Sequence, residues 1–164
     1  MISIVRQGPR TWRLTASHTI PLPREKTVPF FQDPRNLAAI TPPWLAFRLD
    51  GDDRQLEVYE GAEFDYTIRW LGIPIRWRSR ISLYRPPERF ADVQIIGPYA
   101  RWEHFHTFTE VPEGTLMTDE VRYVLPMAAL PFRELIKRQL QEIFRYRAER
   151  VDEWARDELA RLQP

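Results

Sequence analysis

From Trp44 to Pro126 the apolar residues recur mainly at every second position, and beyond Pro126 they recur at every third or fourth. This change of period constrains the fold more than any other feature of the chain. Side chains alternate faces along a strand, whereas along a helix they return to one face every three to four residues. Strands are therefore predicted over 45–50, 62–71, 75–84, 90–96, 100–110 and 115–125, with turn chemistry at Pro112-Glu113-Gly114 and Gly72-Ile73-Pro74. One long amphipathic helix is predicted from about 131 to 162, its stripe formed by Phe132, Leu135, Ile136, Leu140, Ile143, Phe144, Val151 and Trp154. Upstream, Trp12, Leu14, Ala16, His18 and Ile20 place a first strand over 11–20. A short helix begins near Pro23, Asp33-Pro34 interrupts it, and Asp33 caps a second one through Ile40. Thr41-Pro42-Pro43 stops that helix, since a residue before proline is pushed out of the helical region.

Alternation also decides which side of the sheet faces inward. One face collects Phe64, Tyr66 and Ile68; Trp77, Ser79 and Ile81; Phe90, Asp92 and Gln94; Trp102, His104, His106 and Phe108; and Met117, Asp119, Val121 and Tyr123. The other face carries Arg76, Arg78 and Arg80 with Asp65, Thr67, Glu120 and Arg122, as expected where an antiparallel sheet is covered on one side only. The inner face is aromatic enough to be buried, yet it holds two of the three histidines. A face mixing indole, imidazole and phenyl reads as the lining of a container, and its polar members need partners.

Bulk properties narrow the classes further. The 164 residues are read as one domain, 1–164, long enough to bury a core without staples. A net charge of +1 offers no overall field to recruit nucleic acid or an anionic membrane. Without cysteine there is no disulfide framework, thiolate nucleophile or cysteine metal site. The amino terminus is too short and polar for a signal peptide, and no apolar run reaches membrane-spanning length, so the expected location is cytoplasmic. Gly-rich phosphate loops, a Gly-x-Ser-x-Gly elbow and HExxH are absent, and Asp52-Asp53 is an isolated loop pair rather than a calcium loop.

His104 and His106 share the inner face, and pairing around the 112–114 turn sets Asp119 opposite roughly residue 107. Such a group can be a self-satisfied polar network, a set of ligand contacts, an acid/base pair steered by Asp119, or a metal site. Asp92 and Gln94, with Tyr66 and Tyr123, can hold a small polar group while Trp77, Trp102, Phe90 and Met117 enclose an apolar body.

Several motifs resemble the SRPBCC superfamily, which includes START lipid-transfer domains, polyketide cyclases and plant pollen allergens, and within it a branch of small stand-alone bacterial proteins. They are Asn36-Leu37 with Ile40-Thr41-Pro42-Pro43; Gly61 with Tyr66; Trp77; and Phe90-x-Asp92-x-Gln94-x-x-Gly97-Pro98-Tyr99. They continue as Trp102-x-His104-x-His106-x-Phe108, Asp119-x-Val121-x-Tyr123-x-x-Pro126 and Ile143-Phe144-x-Tyr146-Arg147. The resemblance implies an α+β helix-grip fold: a curved antiparallel sheet of about seven strands around a long C-terminal helix, with two short helices after the first strand. It implies no cofactor and no metal. Superfamily members differ widely in function, so the fold does not select among them.

The reading that follows is binding of a small hydrophobic or aromatic ligand between sheet and helix. The expected contacts are Tyr66, Trp77, Gln94, Trp102, His104, His106, Asp119 and Tyr123. The alternative is a cyclase/dehydratase-like enzyme in which His104 or His106 is the general acid/base and Asp119 steers it. A third class, a partner-binding module, would use the outer stripe of Arg76, Arg78 and Arg80 or the proline-rich segment 41–43.

Overall fold

The period-two segments form one antiparallel sheet in the computed structural model, which describes residues 1–50 and 57–162. The Asp52-Asp53 pair lies outside the described residues. The strands are β1 (Ile2–Arg6), β2 (Thr11–Ile20), β3 (Arg48–Asp50), β4 (Glu63–Trp70), β5 (Ile73–Arg85), β6 (Arg89–Ile96), β7 (Arg101–Val111) and β8 (Gly114–Val124). Their order across the sheet is β1-β2-β8-β7-β6-β5-β4-β3. The eighth strand is β1, which the sequence reading missed. It is short and mostly exposed, and only Ile2 and Ile4 pack on the core. Two irregularities in the β5–β6 pairing, near Arg78/Ser79 and Ile81/Leu83, mark bulges of the kind that bend a sheet.

After β2 the chain makes helix α1 (Arg24–Gln32) and a short 3-10 turn, Pro34–Leu37, where Asp33 accepts a hydrogen bond from the Arg35 backbone N–H. The second short helix is thus one turn rather than a segment reaching Ile40, and another 3-10 turn follows at Pro43–Leu45. A last 3-10 turn, Met127–Phe132, leads into helix α2 (Arg133–Leu162). Ile136, Leu140, Phe144, Val151 and Ala155 form its buried stripe at spacings of four and seven. Phe132 and Leu135, expected on that stripe, are 52% and 39% exposed, because the helix starts at Arg133 and its first inward position is Ile136.

The helix crosses the inner face of the sheet and closes two apolar cores. In one, Ile136, Leu140 and Phe144 meet Trp12, Leu14, Trp77, Trp102, Val121, Tyr123 and Leu125. In the other, Val151 and Ala155 meet Ile20, Leu22, Val28, Ile40, Phe90, Phe108 and Met117. Burial of this area supplies the main stabilisation. On the outer face the arginine stripe pairs across strands: Arg78 reaches Asp65 through two bonds of 2.9 and 2.8 Å, and Arg80 Nε reaches Glu63 at 2.8 Å. Arg76 lies 3.7 Å from the same Asp65, so the stripe is a ladder of ion pairs and not an open basic patch.

The β7–β8 hairpin sets the site. Its two-residue loop is Pro112-Glu113, with Val111 paired to Gly114. Gly114 has φ of +131°, and a Cβ there would stand 2.2 Å from the Ile20 carbonyl oxygen, so only glycine fits. This hairpin pairs His106 with Asp119, one residue from the expected register.

Candidate functional site

Strand pairing brings four ionisable side chains together on the inner face. Asp92 lies directly across from His104, and Asp119 across from His106. The close contacts run on the diagonals as well. His104 Nε2 is 2.8 Å from Asp119 Oδ1, and His106 Nε2 is 3.3 Å from Asp92 Oδ2. His106 Nδ1 also lies 3.0 Å from Asp119 Oδ1, but off the hydrogen-bond direction. The two imidazoles are tilted by 40° with centroids 3.8 Å apart, and Phe90 stacks on His106 at 4.2 Å. Ser79 extends the network: its hydroxyl accepts from Trp77 Nε1 at 3.1 Å, lies 3.3 Å from the Tyr66 hydroxyl and 3.5 Å from Asp92 Oδ1.

Burial alone would raise the Asp119 carboxyl, yet hydrogen bonds and charge from both histidines hold it far below the ordinary carboxylate range. Asp92 is depressed in the same way, against its burial, by the His106 bond and by the charges of the histidines and Arg147. Burial would lower His106, but the carboxylates of Asp119 and Asp92 outweigh it and raise its pKa. His104 is lowered by burial and by its charged neighbour His106, in spite of the Asp119 bond. The directions favour ionised carboxylates, the charged form at His106 and the neutral form at His104. An ionised carboxylate can only accept, so His104 Nε2 carries the proton given to Asp119, and Nδ1 keeps its lone pair. That Nδ1 makes no hydrogen bond; its nearest charged neighbour is Asp92 Oδ2 at 3.8 Å.

Two cavities adjoin this cluster. The larger, about 340 Å³, is almost wholly apolar: Trp77, Tyr99 and Trp102 from the sheet face Ile136, Leu140 and Phe144 from α2. The smaller, about 130 Å³, is bordered by Tyr66, Ser79, Phe90, Asp92, His104 and His106. Leu37, His104 and Arg147 border both.

The expected contact residues divide accordingly. Trp77 and Trp102 line the larger cavity, Tyr66 and His106 the smaller, and His104 both. Asp119 stands behind the histidines and lines neither. Gln94 lies outside both cavities because its amide is spent on the backbone: Nε2 donates to the Tyr99 carbonyl at 2.8 Å and Oε1 accepts from the Tyr99 N–H at 3.2 Å. It fixes the turn that carries Pro98 and Tyr99 to the cavity wall. Tyr123 is fully buried behind that wall, stacked on Trp12 at 5.8 Å, with no partner for its hydroxyl. Tyr99, Leu140, Phe144 and Arg147 line the larger cavity too; Tyr99, Phe144 and Arg147 stand in the motifs quoted above, and Leu140 in the apolar stripe of the helix.

Asp92, His104 and His106 offer one ligand atom each within 4.8 Å of one another, a spacing that can hold a metal ion. Asp119 behind both rings would then orient them, as carboxylates do around metal-bound histidines. The same four residues also close on one another as a proton-sharing network, with Asp92 already accepting from His106.

No family model matches the chain, and no curated protein matches it in sequence. Its three-dimensional structure is similar to several solved ones. Over 92% of its length it matches 52% of the di-domain ARO/CYC StfQ from the steffimycin biosynthetic pathway, with a TM-score of 0.74 and 16% identity. It matches a Thermus thermophilus protein over 89% of this chain and 98% of that one, with a TM-score of 0.66 and 18% identity. With Ara h 8.0201 the TM-score is 0.56 at 13% identity, over 86% of this chain and 97% of that one. Likeness at such identities is a likeness of fold. The chain has the helix-grip fold, an antiparallel sheet with a long C-terminal helix across its inner face, as expected from the sequence. No helix among the described residues is long and apolar enough to cross a membrane.

Proposed function

We propose that the protein, acting as a single domain in the cytoplasm, binds one small, largely hydrophobic molecule between its sheet and its C-terminal helix. The observation that carries this reading is the cavity of about 340 Å³ walled by Trp77, Trp102, Leu140 and Phe144, beside a smaller one that His104, His106 and Asp92 also line. A pocket of this size, apolar with a few convergent polar groups, suits a small organic ligand. Burial of the ligand's apolar area supplies affinity, and the groups at the junction, His104 above all, fix its orientation. The test is native mass spectrometry of the protein with a panel of apolar small molecules. One molecule should be retained per chain, and Ile143→Trp, which places an indole in the larger cavity, should abolish retention while the fold persists. Equal retention by the variant would overturn the assignment to this cavity.

A second reading, a cyclase/dehydratase-like enzyme, is favoured by the open Nδ1 of His104, an imidazole held neutral on the edge of both cavities. His106 is the poorer candidate, since its two ring nitrogens lie 3.3 and 3.0 Å from carboxylates, whereas His104 Nδ1 stands 3.8 Å from Asp92. Turnover of a carbonyl substrate that is lost in His104→Gln, with binding retained, would support catalysis. Binding with no chemical change in either form would leave the carrier reading alone.

A further inference from the structure

Arg147 makes no direct ion pair or hydrogen bond where the cavities meet, although its charge is felt by the Asp92 carboxylate. It projects from α2 one turn beyond Phe144, with its guanidinium carbon 5.1 Å above that ring. It borders the larger cavity, the smaller one, and a third of about 320 Å³ against β2 that is also lined by Asp119 and Met117. Its Nε is buried and has no hydrogen-bond partner, and no carboxylate among the described residues lies within ion-pair distance of it. Most of the other arginines of α2 point outward, and Arg133, Arg150 and Arg161 have glutamates beside them.

Arg147 is half-buried, and its Nε is the part withdrawn from solvent without a partner. A buried N–H donor left unpaired is costly, and a ligand acceptor would satisfy it. The two nearby carboxylates are engaged elsewhere: Asp119 holds His104 and Asp92 holds His106. The Nε–H is one prong of the planar fork with which arginine grips a carboxylate side-on. We propose that Arg147 receives an acid group on the ligand, so that the cavity selects an apolar carboxylate over its neutral counterpart. The hydrocarbon or aromatic body lies against Trp77, Trp102 and Leu140, and the carboxylate sits at the junction within reach of the guanidinium. This rests on the binding reading given above and names its ligand class.

The test compares matched probes by isothermal titration calorimetry at neutral pH: decanoate against decanol, and 1-naphthoate against 1-naphthalenemethanol. In the wild-type protein the acid of at least one pair should bind about tenfold to a hundredfold more tightly than the alcohol, the range of a charge-assisted contact. Arg147→Met should bring the acid down to the level of the alcohol in the same variant. Arg147→Lys, which keeps charge but not the fork, should restore part of the preference. Arg147→Met keeps an apolar stem against Phe144, so the variant should remain folded for the comparison, which its melting temperature checks. Equal binding of acid and alcohol by the wild type, or a preference that survives Arg147→Met, overturns the role of Arg147 and leaves the cavity reading standing. Absence of binding by all four probes overturns both.

Discussion

Asp119→Asn is the sharpest single perturbation of the inner-face cluster, because it keeps the shape of the side chain and removes its charge. In the wild type one Asp119 oxygen stands 2.8 Å from His104 Nε2 and 3.0 Å from His106 Nδ1, all three side chains being nine-tenths or more buried. Removing one partner of a buried charge pair costs roughly 3–5 kcal/mol. Asp92 still faces His106 at 3.3 Å, so the lower end, about 3 kcal/mol, applies here. With a urea slope of roughly 2 kcal/mol per molar, the unfolding midpoint falls by about 1.5 M at unchanged slope. The pH dependence follows from the directions of the shifts. Asp119 is depressed in the folded protein, so its contribution is present above an unfolded value of about 3.9 and fades as pH falls below it. His106 is raised, so its contribution is complete below an unfolded value of about 6.5 and fades as pH rises through its folded value. The gap between wild type and variant is therefore widest between about pH 4 and 6.5 and narrows on both sides. Urea titrations across that range and beyond it decide the matter. A gap that is flat with pH, or a midpoint shift under about 0.3 M, would refute the charge assignment.

Other consequences are simpler. Gly114→Ala forces a Cβ against the Ile20 carbonyl at positive φ and should cost about 2 kcal/mol, a fall of roughly 4–8 °C in melting temperature; an unchanged melt would mean the hairpin takes another form. Gln94→Ala removes both amide bonds to Tyr99 and should destabilise by about 1–2 kcal/mol. Affinity for cavity probes should change by less than about threefold, and a larger loss in calorimetry would return Gln94 to the ligand's surroundings.

The fold was legible because period carries it. Alternation put Tyr66, Trp77, His104, His106 and Asp119 on one face, and the helix period announced the element that covers them. Register was harder. Counting Gly114 as part of the turn displaced the partner of Asp119 by one residue, whereas the loop is Pro112-Glu113 with Gly114 already in β8. Strand β1 escaped notice since an edge strand with two inward isoleucines has too short a pattern to read. The site was legible in part, because a face is not a cavity. Gln94 and Tyr123 share the inner face with His104, but one is consumed by a turn and the other by the aromatic core behind the wall. Arg147 stood in the Ile143-Phe144-x-Tyr146-Arg147 motif, but on a helix rich in arginine only three-dimensional packing shows that it borders the cavities with its Nε unpartnered.

The most direct measurement of the central claim is a crystal structure determined under xenon pressure, since apolar cavities take up xenon without needing the natural ligand. The account predicts xenon between Trp77, Trp102, Leu140 and Phe144, with those side chains in place. A structure without xenon there, in which Leu140, Ile143 and Phe144 have moved in to fill the space, would contradict it.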